Sequence, residues 1–170
     1  EDLLYQYFAR PEEEPDMPWP WPNVWEGVSV EDQKTADERI PLLLQTPAAV
    51  RFVSLEPMLG PVELTQYLRE ETLTCSWCGN QQANMGRNVG CEECEERMPE
   101  GRQCGLGWVI CGGESGPGAR AMELDWVRKI RDQCSASGVA FFFKQAIIGG
   151  KKISMPNLDG RIHADFPITK

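Results

Sequence analysis

Hydrophobic and polar positions change period several times along this chain. Residues 1–9 (EDLLYQYFA) look like the tail of a helix, and the stretch from Pro11 to Pro22, with Trp19, Trp21 and Trp25 interleaved, reads as an extended loop. Proline lacks a backbone donor and disfavours helix before it. Residues 23–30 (NVWEGVSV) form a short β-branched run that predicts a strand. Residues 31–45 predict a helix with Glu31 and Asp32 in its first turn, where the dipole favours acids, and with Pro41 ending or kinking it. A second strand is expected over 48–57, then a Gly60–Pro61 turn and a short helix near 62–69. GWVICGG (107–113) predicts a third strand, ESGPGAR (114–120) a glycine-rich loop, and 125–138 a helix. In that helix Asp125 is the expected N-cap, Gly138 the C′ residue, and Trp126, Ile130 and Cys134 the buried stripe. VAFFFKQ (139–145) is the expected fourth strand.

Strand and helix in regular alternation argue for parallel strands with right-handed crossovers. The expected fold is α/β: four parallel βα units forming a half or partial β/α barrel, with a four-stranded open sheet as the alternative. A whole eight-fold barrel needs about 250 residues, and this chain has 170. The organisation expected is a Pro/Trp-rich leader (1–22), a barrel part (23–69 and 106–170) and an insertion (70–105). The start at Glu1 suggests a processed or partial chain. An open barrel edge at the first strand then calls for a cover: a missing N-terminal half, the leader, or another protomer.

Polar residues gather where these strands end. The first ends in Ser29, Glu31 and Asp32, the second in Ser54 and Glu56, the third in Glu114 and Ser115, the fourth in Lys144 and Gln145. Ligands of parallel α/β folds bind outside the carboxyl ends of the strands. Glu31, Asp32, Glu56, Glu114 and Lys144 are therefore the candidate catalytic set, able to hold a hydroxyl or amine, ligate a hard metal or transfer protons. The blander expectation for any one of them is a helix cap or a rim salt bridge. Gly112, Gly113, Ser115, Gly116, Arg120 and Gln145 are candidates for cofactor binding. The spacing of GGESGPGAR matches neither G-x-G-x-x-G nor a P-loop. It leaves open an anion nest assisted by Arg120 or a tight turn that needs positive φ.

Charge changes the picture by its placement. The net charge is −9. Residues 1–22 carry six acids against Arg10, a net −5, and residues 70–105 carry seven glutamates against Arg87, Arg97 and Arg102, a net −4. Residues 128–170 carry eight basic and three acidic side chains, a net +5. An anion-binding surface should therefore use the C-terminal third, although charge runs usually mean a solvated face. General nucleic-acid binding is disfavoured, since phosphate contacts need clustered Lys and Arg. No stretch approaches the roughly 20 apolar residues of a membrane span.

The cysteines give the sharpest local signal. Cys75-Ser-Trp-Cys78 is followed by Cys91-Glu-Glu-Cys94, the spacing of a tetrahedral four-thiolate zinc site. Iron is the alternative ion and Cys104 a spare thiol; two disulfides fit less well without a secretion signal. Four thiolates leave no open position, so the expected zinc is structural and holds a zinc-ribbon-like insertion. Cys111 and Cys134 are expected to be buried apolar residues.

PNVWEGVSVEDQKTADERIPLLLQTPAAVRFVSLEPMLGPVEL, GWVICGGESGPGARAM, DWVRKIRDQC, VAFFFKQ and LDGRIHADFP closely resemble an uncharacterised phage and prophage family named after gene products thirty-seven and sixty-eight. The resemblance covers about residues 22–69 and 106–167. It implies a relative of radical-SAM enzymes with a partial barrel, whose N-terminal half carries a cysteine segment suited to an iron–sulfur cluster. No C-x-x-x-C-x-x-C spacing occurs in this sequence, and the zinc-type insertion departs from the family pattern. By resemblance, SVED, SLEP, GGESGPGAR and FFFKQ are the rim loops, and S-adenosylmethionine is the implied cofactor of the complete enzyme. His163, the sole histidine, is expected to be structural or solvated more often than catalytic.

Two readings follow. In the first, the chain is the C-terminal ligand-binding half of a phage-type radical-SAM-like enzyme, inactive alone. In the second, it is a zinc-stabilised phage or prophage protein that docks a protein partner through the insertion and the leader. Both place it in the cytoplasm, without membrane or nucleic-acid partners of its own.

Overall fold

The computed structural model describes residues 21, 23–68, 72–74, 81–83 and 105–167. It is a mixed α/β fold with two α-helices and a five-stranded, mostly parallel sheet. In chain order the elements are β1 (Trp25–Ser29), α1 (Gln33–Gln45), β2 (Val50–Leu55), a 3-10 turn (Thr65–Tyr67), β3 (Thr72–Thr74), β4 (Gln81–Ala83), β5 (Trp108–Gly112), α2 (Leu124–Ala136), β6 (Ala140–Ile148), β7 (Lys151–Ser154), β8 (Asn157–Leu158) and β9 (Arg161–Ile162). The main sheet runs β1-β2-β5-β6-β7. Its first four strands are parallel and β7 is antiparallel to β6. β3 with β4, and β8 with β9, make two small antiparallel pairs.

Alternate residues of the strands build one core. Val53 and Leu55 of β2, Val109 and Cys111 of β5, and Phe141 and Phe143 of β6 join Ala36, Ile40 and Leu43 of α1 and Val127, Ile130 and Cys134 of α2. The stripe of α2 thus runs through Val127, while Trp126 is only partly buried at its margin. Glu123, not Asp125, occupies the N-cap, and Asp125 sits in the first turn. Gly138 is the expected C′ residue (φ 61°). Val139 N–H donates to the Cys134 carbonyl and Gly138 N–H to that of Ser135, the paired bonds of a Schellman ending. α1 begins two residues later than expected, because the Asp32 side chain accepts from Thr35 N–H and serves as the cap. Pro41 does not end α1. Ile40 and Leu43, on either side of it, are buried and hold the last turn against the sheet.

The opposite face of the sheet is aromatic. Trp108 contacts Trp25, Phe52, Phe142 and Phe166, with ring centroids 5.0–6.2 Å apart. Gly27 is required beside them: a Cβ there would stand 2.4 Å from the Phe52 ring.

The connection from β2 to β5 departs from a βα unit. Instead of a helix over 62–69, the chain stays extended and closes in one 3-10 turn. Val62 and Leu64 are buried while Glu63 and Thr65 are exposed, a period of two that favours extended backbone. Two glutamines serve that backbone. Gln33 accepts from Glu63 N–H (2.6 Å) and donates to Glu63 O (3.3 Å). Gln133 accepts from Leu64 N–H (2.6 Å) and donates to Val62 O (3.2 Å). Leu68 then forms a parallel bridge with Leu106, and Leu106 N–H donates to Tyr67 O. The insertion leaves and re-enters the fold at this bridge.

β6 runs past its predicted end and turns into β7 through Gly149 and Gly150, both at positive φ. The other half of its edge is taken by the C-terminal segment, where Phe143 N–H donates to His163 O and Asp165 N–H to Phe141 O.

Candidate functional site

The carboxyl ends of β1, β2, β5 and β6 lie side by side, and their loops are stitched together. Leu59 N–H donates to Glu31 O (2.8 Å), Met58 N–H to Gly112 O (3.0 Å) and Gly113 N–H to Gln145 O (2.9 Å). The peptide between Glu56 and Pro57 is cis. This frame fixes the backbone from which the predicted rim side chains project.

Five predicted residues converge. Lys144 Nζ lies 2.8 Å from Glu56 Oε2, joining β6 to the residue after β2. Gly112 sits between Glu56 and Gln145, and a Cβ on it would come within 3.3 Å of both side chains. Gln145 is buried and donates to Gly113 O (3.0 Å), so it ties β6 to the glycine pair. The Glu56 side chain is 19% exposed and that of Lys144 50%, so the pair stands at the surface of the rim with its acid half-shielded.

The other predicted rim residues have local partners. Glu31 accepts from Arg39 at 3.1 and 3.3 Å, and the same guanidinium donates to Ser29 O. Arg39 did not stand out in the sequence; its spacing of eight residues from Glu31 carries no signature before the helix start is known. Asp32 caps α1, and the Thr35 N–H bond holds its carboxyl below the usual range. Glu114 takes the Arg120 guanidinium at 2.9 Å on both oxygens and the Arg120 N–H at 2.8 Å. The Arg120 bonds hold Glu114 down at about 2. Gly116 and Gly118 have φ of 113° and 78°, so the loop is a turn that needs glycine, closed on the chain's own carboxylate. Ser115 is exposed on that turn.

The remaining predictions divide by position. Cys75, Cys78, Cys91 and Cys94 lie outside the described residues, and among those that are described no cluster of His, Cys, Asp or Glu has the makeup of a metal site. Cys111 and Cys134 are buried free thiols, as expected, and burial pushes Cys134 up to about 12. His163 is buried against the edge of Phe141. Burial holds its imidazole below the ordinary histidine value, with Arg161 and Arg131 acting the same way and Asp165 against them. Among the described residues no helix is long and apolar enough to cross a membrane.

Searches of curated proteins and of solved structures find no match for the chain. A family signature does match, over residues 2–167, and takes in the whole sheet and the rim. The chain belongs to that family, described as Protein of unknown function (DUF5131).

Proposed function

We propose that this chain is the ligand-binding part of a radical-SAM-like enzyme built on a partial β/α barrel, and that its rim holds the amino-acid end of S-adenosylmethionine. The Lys144–Glu56 contact beside Gly112 carries this reading. A cation and an anion side by side suit a zwitterion: the ligand carboxylate takes Lys144 and its ammonium takes Glu56. Gly112 leaves room for the Glu56 and Gln145 side chains, and Gln145 ties the β6 end to Gly113. S-adenosylmethionine supplies a sulfonium centre when bound; the residues of this chain bind and orient it. The absence of a C-x-x-x-C-x-x-C spacing supports a role other than carrying an iron–sulfur cluster.

Calorimetric titration of the chain with S-adenosylmethionine tests this directly. Binding is expected, weakened by about tenfold or more in Glu56→Gln and Lys144→Met, since each charge-assisted bond contributes roughly 1.5–3 kcal/mol. Absence of binding at millimolar ligand would sink the proposal. Reductive cleavage of the ligand by the chain alone would overturn the assignment as a part without a cluster.

A second reading has its own support. Glu31–Arg39 and Glu114–Arg120 are separate, self-neutralised pairs, which suits a zinc-stabilised module that docks a protein and does no chemistry. Under either reading Cys75, Cys78, Cys91 and Cys94 hold a structural zinc, and such reduced thiolates suit a reducing compartment such as the cytoplasm. Elemental analysis should find one zinc per chain, lost when Cys75 and Cys91 become serine.

A further inference from the structure

β7 is an edge strand whose four residues are all exposed. Its hairpin with β6 displays Ile147, Ile148, Ile153 and Met155, each 39–47% exposed. Among the described residues Lys151 and Lys152 pair with no carboxylate, whereas Lys144 on the same hairpin is held by Glu56. Edge strands are often blunted by lysine alone; here the lysines stand among four large apolar side chains.

The register shows which backbone groups are open. Met155 N–H donates to Lys144 O, and Ala146 pairs with Ile153 and Ile148 with Lys151. Hydrogen-bonded pairs alternate in an antiparallel ladder, so Ile153 and Lys151 turn their backbone groups towards β6. Lys152 and Ser154 therefore turn theirs to the outer edge, which no described residue occupies. Side chains alternate too: Lys151 shares a face with Ile153 and Ile148, and Lys152 shares the other with Ile147 and Ser154.

We infer that this edge is a docking strand for an extended acidic peptide segment of a partner protein. The peptide adds a sixth strand beside β7 through the backbone of Lys152 and Ser154. It sets carboxylates opposite Lys151 and Lys152 and apolar side chains against the exposed isoleucines. Charge complementarity selects this occupant. A second copy paired through the same edge would bring lysines together.

The test uses the full chain and a capped ten-residue peptide built on the repeat Glu-Glu-Val-Val, which presents acid and apolar side chains on both faces of an added strand, followed by amide NMR. Binding should shift and protect the Lys152 and Ser154 amides. Ser154→Pro removes an outward donor without changing charge, a position where edge strands accept proline. It should weaken binding, as should the double variant Lys151→Glu, Lys152→Glu, by about tenfold. Unchanged Val53 and Val109 amide shifts, in the buried core away from the hairpin, would show that each variant keeps the fold. Equal binding of a Lys/Val peptide would overturn the inference, as would no binding at millimolar Glu/Val peptide. Protection of the same amides by self-association would assign the edge to a second copy. Protection by oligo-dT or by phosphatidylserine vesicles would assign it to an anionic polymer or surface, each outcome also overturning it.

Discussion

Gly27 and Gly60 look alike in the sequence, yet the structure separates them. A Cβ on Gly27 would meet the Phe52 ring at 2.4 Å, while at Gly60 nothing lies within 4 Å. Gly27→Ala should therefore destabilise the fold by about 1–3 kcal/mol, as overpacking does. Gly60→Ala should change stability by no more than about 1 kcal/mol. Urea unfolding of the two variants checks the contrast, and equal midpoints would contradict the packing argument. The rim shows the same division at the level of single side chains. Residue type marked Glu31, Glu56 and Glu114 alike, but only partners in space show that Arg39 and Arg120 take the first and last, leaving Glu56 with Lys144. Lys144 could be expected to pair with one of the rim acids or with an anionic ligand, but which acid it takes was illegible, since it comes from a strand 88 residues from Glu56, and Arg39 carried no signal at all.

At the scale of elements, the four parallel strands were legible because their residues are β-branched or aromatic and buried on the helix side. The end of β6 and all of β7 were not, because KKIS has no buried face and leaves no alternation to read. The helix expected near 62–69 failed for a different reason. Gln33 and Gln133 satisfy an extended backbone from outside it, a role that no local pattern records. Gln133→Ala leaves the amide of fully buried Leu64 and the Val62 carbonyl without these bonds, and should cost about 1–3 kcal/mol. Thermal unfolding measures this; a loss below about 0.5 kcal/mol would mean water replaces the amide. The C-terminal segment depends on His163 in the same way. Its imidazole titrates below 6.5 in the fold, so the unfolded chain takes the proton first. Stability from this residue is complete above pH 6.5 and is lost as pH falls through that value towards the lower folded one. His163→Gln should flatten the stability profile between pH 7 and 5, read by denaturant midpoints, and a variant profile parallel to the parent's would refute the role.

Among the described residues, acid sensitivity comes in two stages. Below the histidine range, Glu114 and Asp159 still hold their charge to about 2, because Arg120 bonds the first and Arg128 and Arg131 the second. Both carboxyls are lowered by the fold, so they add stability above their ordinary values, and it is lost as pH falls towards 2. These pairs are solvent-exposed, so their part should be small and shrink in salt. Stabilities at low and high salt should therefore differ most above pH 5, where both pairs are fully charged, and converge as pH falls towards 2.

The bridge between Leu68 and Leu106 has a consequence for how such a protein can be altered. Residues 68 and 106 meet as neighbours, so the chain between them starts and ends at one point of the fold. Lengthening a closed loop costs only about 0.6 kcal/mol per doubling, so this point tolerates cargo of very different sizes. Parallel neighbours need a connection of about a dozen residues to turn the chain around. A Gly/Ser linker of that length in place of residues 69–104 should leave the sheet, the Gln33 and Gln133 amides and the Lys144–Glu56 pair as they are, which an amide spectrum would reveal. The same graft point offers a place to install a reporter without touching the rim.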